Sequence, residues 1–108
     1  MLTDEMRYRL MRLLDSKPDM SQRDVARELG ISLGKVNYCV QALIRSGRVK
    51  ASRFKNSQNK AAYMYFLTPR GVEEKARLTA KFLQLKMREY ENLRSEIELM
   101  RQEAERGL

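Results

Sequence analysis

Three observations predict a mainly α fold with a small β-hairpin and a long C-terminal helix. Residues 21–47, SQRDVARELGISLGKVNYCVQALIRSG, hold two short helical patterns hinged at Gly30-Ile31. Residues 48–67 hold two alternating runs around a polar tip, KNSQNK. From Gly71 to about Glu105 no proline or glycine intervenes. Two helices across a tight glycine turn make a helix-turn-helix, and a hairpin directly after the second helix is a wing. The fold class is therefore a winged helix-turn-helix over residues 1–68, followed by a C-terminal coiled-coil helix over 69–108 that would serve dimerisation.

Each element has its own signal. Thr3 is placed to cap a first helix, with Asp4 and Glu5 in the first turn, where the helix dipole favours negative charge. Met6, Leu10, Leu13 and Leu14 form its expected buried stripe, with Met11 near the edge. Pro18 ends that helix, which is read as scaffold behind the helix-turn-helix. Ser21 caps the second helix, with Asp24 as a short-armed capping box; Val25, Ala26 and Leu29 share one face, and Gly30 suits a left-handed C-terminal residue.

Ser32 caps the third helix and Gly47 closes it. Stepping about 100° per residue turns Val36, Val40, Leu43, Cys39 and Leu33 toward the core, with Ile44 in the same apolar repeat. Gly34, Lys35, Asn37, Tyr38, Gln41 and Arg45 fall outside that sector. Residues 48–54 form a weak strand, and Ala61 to Leu67 a stronger one, with Tyr63, Tyr65 and Leu67 on one face and Ala62, Met64 and Phe66 on the other. Both faces are apolar, so this strand should pack on the core and also against another helix.

Thr68 caps the last helix, with Pro69 at its first position, and the helix should run roughly 50 Å. Leu78, Phe82 and Leu85 make a first stripe, flanked by Leu83 and Met87. Tyr90, Leu93, Ile97, Met100 and Ala104 make a cleaner seam, spaced three and four. A winged-helix domain is too small to bury that seam, so it needs a partner helix, and a second copy is the expected one. Leu83, Tyr90, Leu93, Ile97 and Met100 are the candidate dimerisation residues. With Tyr90 and Ile97 at a positions, Glu89 and Glu96 fall at g and Arg94 and Arg101 at e. Parallel helices would pair these charges across the dimer, whereas antiparallel helices would oppose like charges.

The charge pattern narrows the function. The chain of 108 residues carries 22 Lys and Arg against 14 Asp and Glu, a net charge of +8. Residues 1–31 have six basic and six acidic side chains, and residues 71–108 have eight of each. Residues 32–70 have eight basic and none acidic, so all the net charge sits inside one acid-free run. That is an electrostatic footprint for a polyanion. On the third helix Asn37 and Gln41 can pair with adenine, Lys35 and Arg45 with guanine or phosphate, and Gly34 permits close backbone approach. Ser32 and Tyr38 complete the candidate DNA-reading set. Arg53, Lys55, Asn56 and Lys60 on the wing are candidates for the DNA backbone or minor groove. An ordinary solvated helix surface and a basic loop that binds nothing are the alternatives to these assignments. Tyr63 and Tyr65 could stack on single-stranded bases, but a core position suits them better, since the positive charge lies on the other strand and the tip.

Other classes are excluded or disfavoured. No histidine and one cysteine leave no zinc site and no His-based acid–base chemistry, so no enzyme, cofactor or metal is expected. The N-terminus, MLTDEMRYRL, lacks the apolar core of a signal peptide, and no stretch approaches a membrane span. A single cysteine cannot form an intrachain disulfide, which suits a reducing, cytoplasmic setting. Redox sensing through Cys39 is the weaker reading, because its position at the edge of the core stripe is that of an inert buried thiol.

The segments ISLGKVNYCVQALIRSGRVK, FKNSQNKAAYMYFLTPRG and EKARLTAKFL resemble the small MarR-type winged-helix regulators described as exopolysaccharide-associated. The resemblance covers nearly the whole chain. It implies a bacterial transcription regulator acting near polysaccharide biosynthesis genes. Larger MarR-type proteins carry an additional N-terminal dimerisation helix that forms a ligand cleft. Only Met1 and Leu2 precede the first helix here, so that cleft, and with it a small-molecule effector, is not expected. The expected function is thus sequence-specific binding of double-stranded DNA by a homodimer. The alternative is a winged-helix adaptor that recruits a protein through its coiled coil.

Overall fold

The structure, a computed structural model, describes residues 2–54 and 62–107. Six elements follow in order: α1 (Asp4–Ser16), α2 (Gln22–Leu29), α3 (Leu33–Arg45), β1 (Val49–Phe54), β2 (Ala62–Leu67) and α4 (Pro69–Glu105). The expected caps are made. Thr3 Oγ1 accepts from Met6 N at 3.1 Å, Ser21 from Asp24 N at 3.0 Å and Ser32 from Lys35 N at 3.1 Å. The reciprocal arm of a capping box does not form at Asp24, whose short carboxylate turns to Arg27 at 3.4 Å. Gly30 closes α2 in the left-handed region at φ 69°, where a side chain would be strained.

The core gathers Leu10, Met11 and Leu14 of α1, Val25, Ala26 and Leu29 of α2, and Val36, Cys39, Val40 and Leu43 of α3, closed by Val49 and Tyr65. Burying each large aliphatic here stabilises the fold by about 1.5–3 kcal/mol. Five side chains differ from expectation. Met11 is not at an edge but fully buried, because α2 and β2 both cover α1, while Leu13 and Met6 are only partly buried around the core. Cys39 likewise lies in the centre of the core rather than at its edge. Leu33, expected inside, is the first residue of α3 and is 40% exposed.

β1 and β2 pair antiparallel, with Val49 opposite Leu67, Ala51 opposite Tyr65 and Arg53 opposite Tyr63. β1 starts one residue after the expected Arg48, and Ala61 lies outside the described residues. Val49, Tyr65 and Leu67 face the core, while Tyr63, one step beyond Tyr65 on the same face, is 51% exposed. The hairpin is also tied to the helices by polar bonds. Tyr65 N donates to Pro18 O at 3.1 Å, and Gln22 Nε2 donates to the Tyr65 hydroxyl at 3.1 Å. On the outer face Met64 and Phe66 are half-buried.

The chain divides into two compact units, Met1–Leu78 and Thr79–Leu108, a later boundary than the expected 68/69. The start of α4 belongs to the first unit because Gly71, Glu74 and Leu78 are buried in it. A side chain on Gly71 would collide with the carbonyl of Arg48, so glycine permits the close approach of α4 to β1. The second unit is the remainder of α4. There Leu83, Leu85, Tyr90, Leu93, Ile97 and Met100 are all exposed in the single chain.

Candidate nucleic-acid interface

The solvent side of α3 follows directly from its buried side. Val36, Cys39, Val40 and Leu43 are almost completely enclosed, so the opposite arc must face outward. Ser32, Gly34, Lys35, Asn37, Tyr38, Gln41 and Arg45 are all exposed there, and Leu33 joins them. Ser32 is used as the cap. No described residue makes a hydrogen bond or ion pair with the side chains of Asn37, Tyr38, Gln41 or Arg45. Among these residues there is no acid. The arc therefore offers amide, hydroxyl and cationic groups that have no role in holding the fold.

The wing is fixed beside that helix by its base. Thr68 Oγ1 donates to Gly47 O at 2.5 Å and accepts from Gly71 N at 3.1 Å, while Thr68 N donates to Arg48 O at 3.0 Å. One threonine thus joins the end of α3, the start of β1 and the start of α4. Glu74 adds an ionic anchor. Its buried carboxylate accepts from Arg7 at 2.6 Å and forms ion pairs with Arg48 and, at 3.8 Å, with Arg77. Burial and the neighbouring Arg70, Arg7 and Arg77 lower the Arg48 pKa below the ordinary guanidinium value. Lys75 pairs with Asp15 at 2.8 Å and makes a second link between α4 and α1. Sequence reading missed the Glu74 anchor. Its residues are distant in the chain, and Glu74 looks like one more charge on a long helix.

Of the expected wing contacts, Arg53 is exposed, and its guanidinium lies over the Tyr63 ring at 6.0 Å from the centroid. This cross-strand pair keeps a cation on the stem of the wing. Lys55, Asn56 and Lys60 lie outside the described residues. Lys50, absent from the expected set, is also exposed on β1. Cys39 is enclosed beneath α3, and burial pushes its thiol pKa up, which disfavours the reactive thiolate. Among the described residues no cluster of three or more potential metal ligands occurs, and no helix is long and apolar enough to cross a membrane.

Residues 3–50 match the family model described as winged helix-turn-helix DNA-binding. The fold is a winged helix. Solved structures agree with that assignment. The PcaV transcriptional regulator from Streptomyces coelicolor, in complex with its natural ligand, superposes with a TM-score of 0.68 at 19% identity, over 96% of this chain and 76% of PcaV. FabT from Streptococcus pneumoniae, in complex with DNA, superposes with a TM-score of 0.59 at 22% identity, over 80% of this chain and 58% of FabT. The zinc-dependent MarR family regulator AdcR in its Zn(II)-bound state gives 0.62 at 22% identity, over 89% of this chain and 62% of AdcR. No curated protein sequence matches the chain. The chain spans less than two thirds of the length of FabT and of AdcR.

Proposed function

We propose that this winged helix is a sequence-specific double-stranded DNA-binding transcriptional regulator that works as a homodimer. α3 enters the major groove, and the wing, through Arg53, Lys55, Asn56 and Lys60, lies on the backbone or in the minor groove. The observation that carries the proposal is the acid-free outer arc of α3, where Lys35, Asn37, Tyr38, Gln41 and Arg45 are exposed in a segment holding all the net positive charge. Asn and Gln can read adenine through paired hydrogen bonds, and Lys and Arg can read guanine or hold phosphate. FabT, a structural neighbour, is described in complex with DNA. The reading is one of recognition, with no catalytic role. The resemblance to exopolysaccharide-associated regulators extends the proposal to polysaccharide biosynthesis genes as targets.

The homodimer forms through Leu83, Tyr90, Leu93, Ile97 and Met100, whose apolar surfaces are exposed in the single chain. Charge supports a parallel pairing. Glu96 and Arg101 have no partner among the described residues, and a parallel dimer would bring each Glu96 to the Arg101 of the other copy. Glu89 and Arg94 already make contacts within the chain, to Lys86 at 3.3 Å and to Glu91 at 4.0 Å, which an interchain pair would replace.

Incubation of the protein with fragmented genomic DNA at moderate salt, followed by sequencing of the retained fragments, tests the reading. Enrichment of one short sequence is the expected result. Retention of DNA without any enriched sequence would contradict specific recognition and favour the adaptor function.

A further inference from the structure

Two residues at the start of α3 are poorly explained by the fold. Leu33 exposes 40% of its surface although it is a large aliphatic side chain in a helix whose Val36, Val40 and Leu43 are buried. Gly34 adopts ordinary helical backbone, and a methyl group added there would meet nothing within 4 Å. Glycine in a helix is less stable than alanine, because it loses more backbone freedom on folding. Here the protein gains neither close packing nor a special backbone angle in return. Leu33 and Gly34 adjoin a helical row of exposed amides, since Leu33, Asn37 and Gln41 are spaced by four and lie on one side. A polar row with a bare apolar edge matches the floor of a major groove, where thymine alone presents a methyl group and adenine beside it presents a paired donor and acceptor.

We propose that Leu33 packs on a thymine 5-methyl group and that Gly34 clears the space for the helix to approach it. The inference rests on the major-groove reading of α3 and deepens it. Leu33 supplies the apolar contact, Asn37 or Gln41 the adenine contact beside it, and the preferred site contains thymine at the position facing the first turn of α3. The arrangement also accounts for a glycine where alanine would make a more stable helix.

The test uses the full chain and a duplex selected from a randomised pool by the wild-type protein. Each thymine is replaced in turn by deoxyuridine, which removes only the methyl group. Wild-type binding should weaken about 3- to 5-fold at one thymine per half-site, the scale of one buried methyl group. With Leu33→Ala that sensitivity should disappear, and with Leu33→Met it should largely return. Gly34→Ala gives an independent readout with opposite signs. Its melting temperature should rise, by up to about 5 °C, while affinity for the selected duplex falls at least 10-fold. A stabilised Gly34→Ala variant that binds like wild type would overturn the inference. So would a uracil penalty that is absent from every position or is unchanged by Leu33→Ala. Failure to select any sequence from the pool would instead overturn the DNA-reading assignment of α3, and the thymine contact with it.

Discussion

Gln41 and Lys55 should fail in different ways, because one is a short amide on α3 and the other a long cation in the polar KNSQNK segment. Loss of a base contact at Gln41 should cost about 1–3 kcal/mol on the preferred duplex and relax preference at particular base pairs. Loss of Lys55 should weaken preferred and random DNA alike and lower the log–log salt slope by about one. Titration of Gln41→Ala and Lys55→Ala against both duplexes at several salt concentrations separates these outcomes. Selective loss of preference in Lys55→Ala alone would reverse the assignment. Cys39 makes a different prediction. Its thiol is buried and its pKa raised, so the folded protein favours the neutral form. The stabilisation is present below the unfolded thiol pKa and is lost as pH rises through the higher folded value. Alkylation at mildly alkaline pH should therefore be slow in the folded chain and fast in denaturant, and Cys39→Ala should leave DNA affinity unchanged. Fast alkylation of the folded protein would show that the thiol is accessible. At this scale the sequence exposed the outer arc of α3 well, since helical angle alone separates Asn37 and Gln41 from Val36 and Val40. It misplaced Leu33 and Met11, because angle says which way a side chain points and not whether a neighbouring element reaches it.

Among the elements, the wing depends on its junction with α4. Glu74→Ala would leave Arg7, Arg48 and Arg77 facing one another without their shared carboxylate. Loss of about 2–4 kcal/mol of stability is expected, the scale for breaking a buried ion pair from one side, reduced for the partly exposed arginines. Gly71→Ala should also destabilise, by about 1–3 kcal/mol, since the carbonyl of Arg48 blocks the added methyl group. Urea unfolding of each variant measures both, and wild-type stability in Glu74→Ala would show that the cluster is a solvated surface network. The helices, their caps and the hairpin were legible because each has a local signal: Thr3, Ser21, Ser32 and Thr68 before apolar periods, and Gly30 and Gly47 after them. The junction was not legible. Arg7 and Glu74 are 67 residues apart, and no local period marks charges that meet only through the fold.

At the scale of the whole molecule, the proposed dimer would present two reading helices. Leu93→Glu together with Ile97→Glu should give a folded monomer, because the core of residues 1–78 does not include those positions. Light scattering at micromolar concentration should find twice the chain mass for wild type and a single chain mass for the variant. A monomeric wild type would contradict the seam. The variant should also lose most affinity for the selected duplex, since two half-sites are then no longer bound through one tether. The most direct measurement is the affinity of the wild-type protein for the selected duplex and for a scrambled duplex of equal length, across a salt series. Both affinities should fall with salt along straight log–log lines, while the selected duplex is bound about 1,000-fold more tightly or better. Equal affinity for the two duplexes at every salt concentration would contradict sequence-specific recognition.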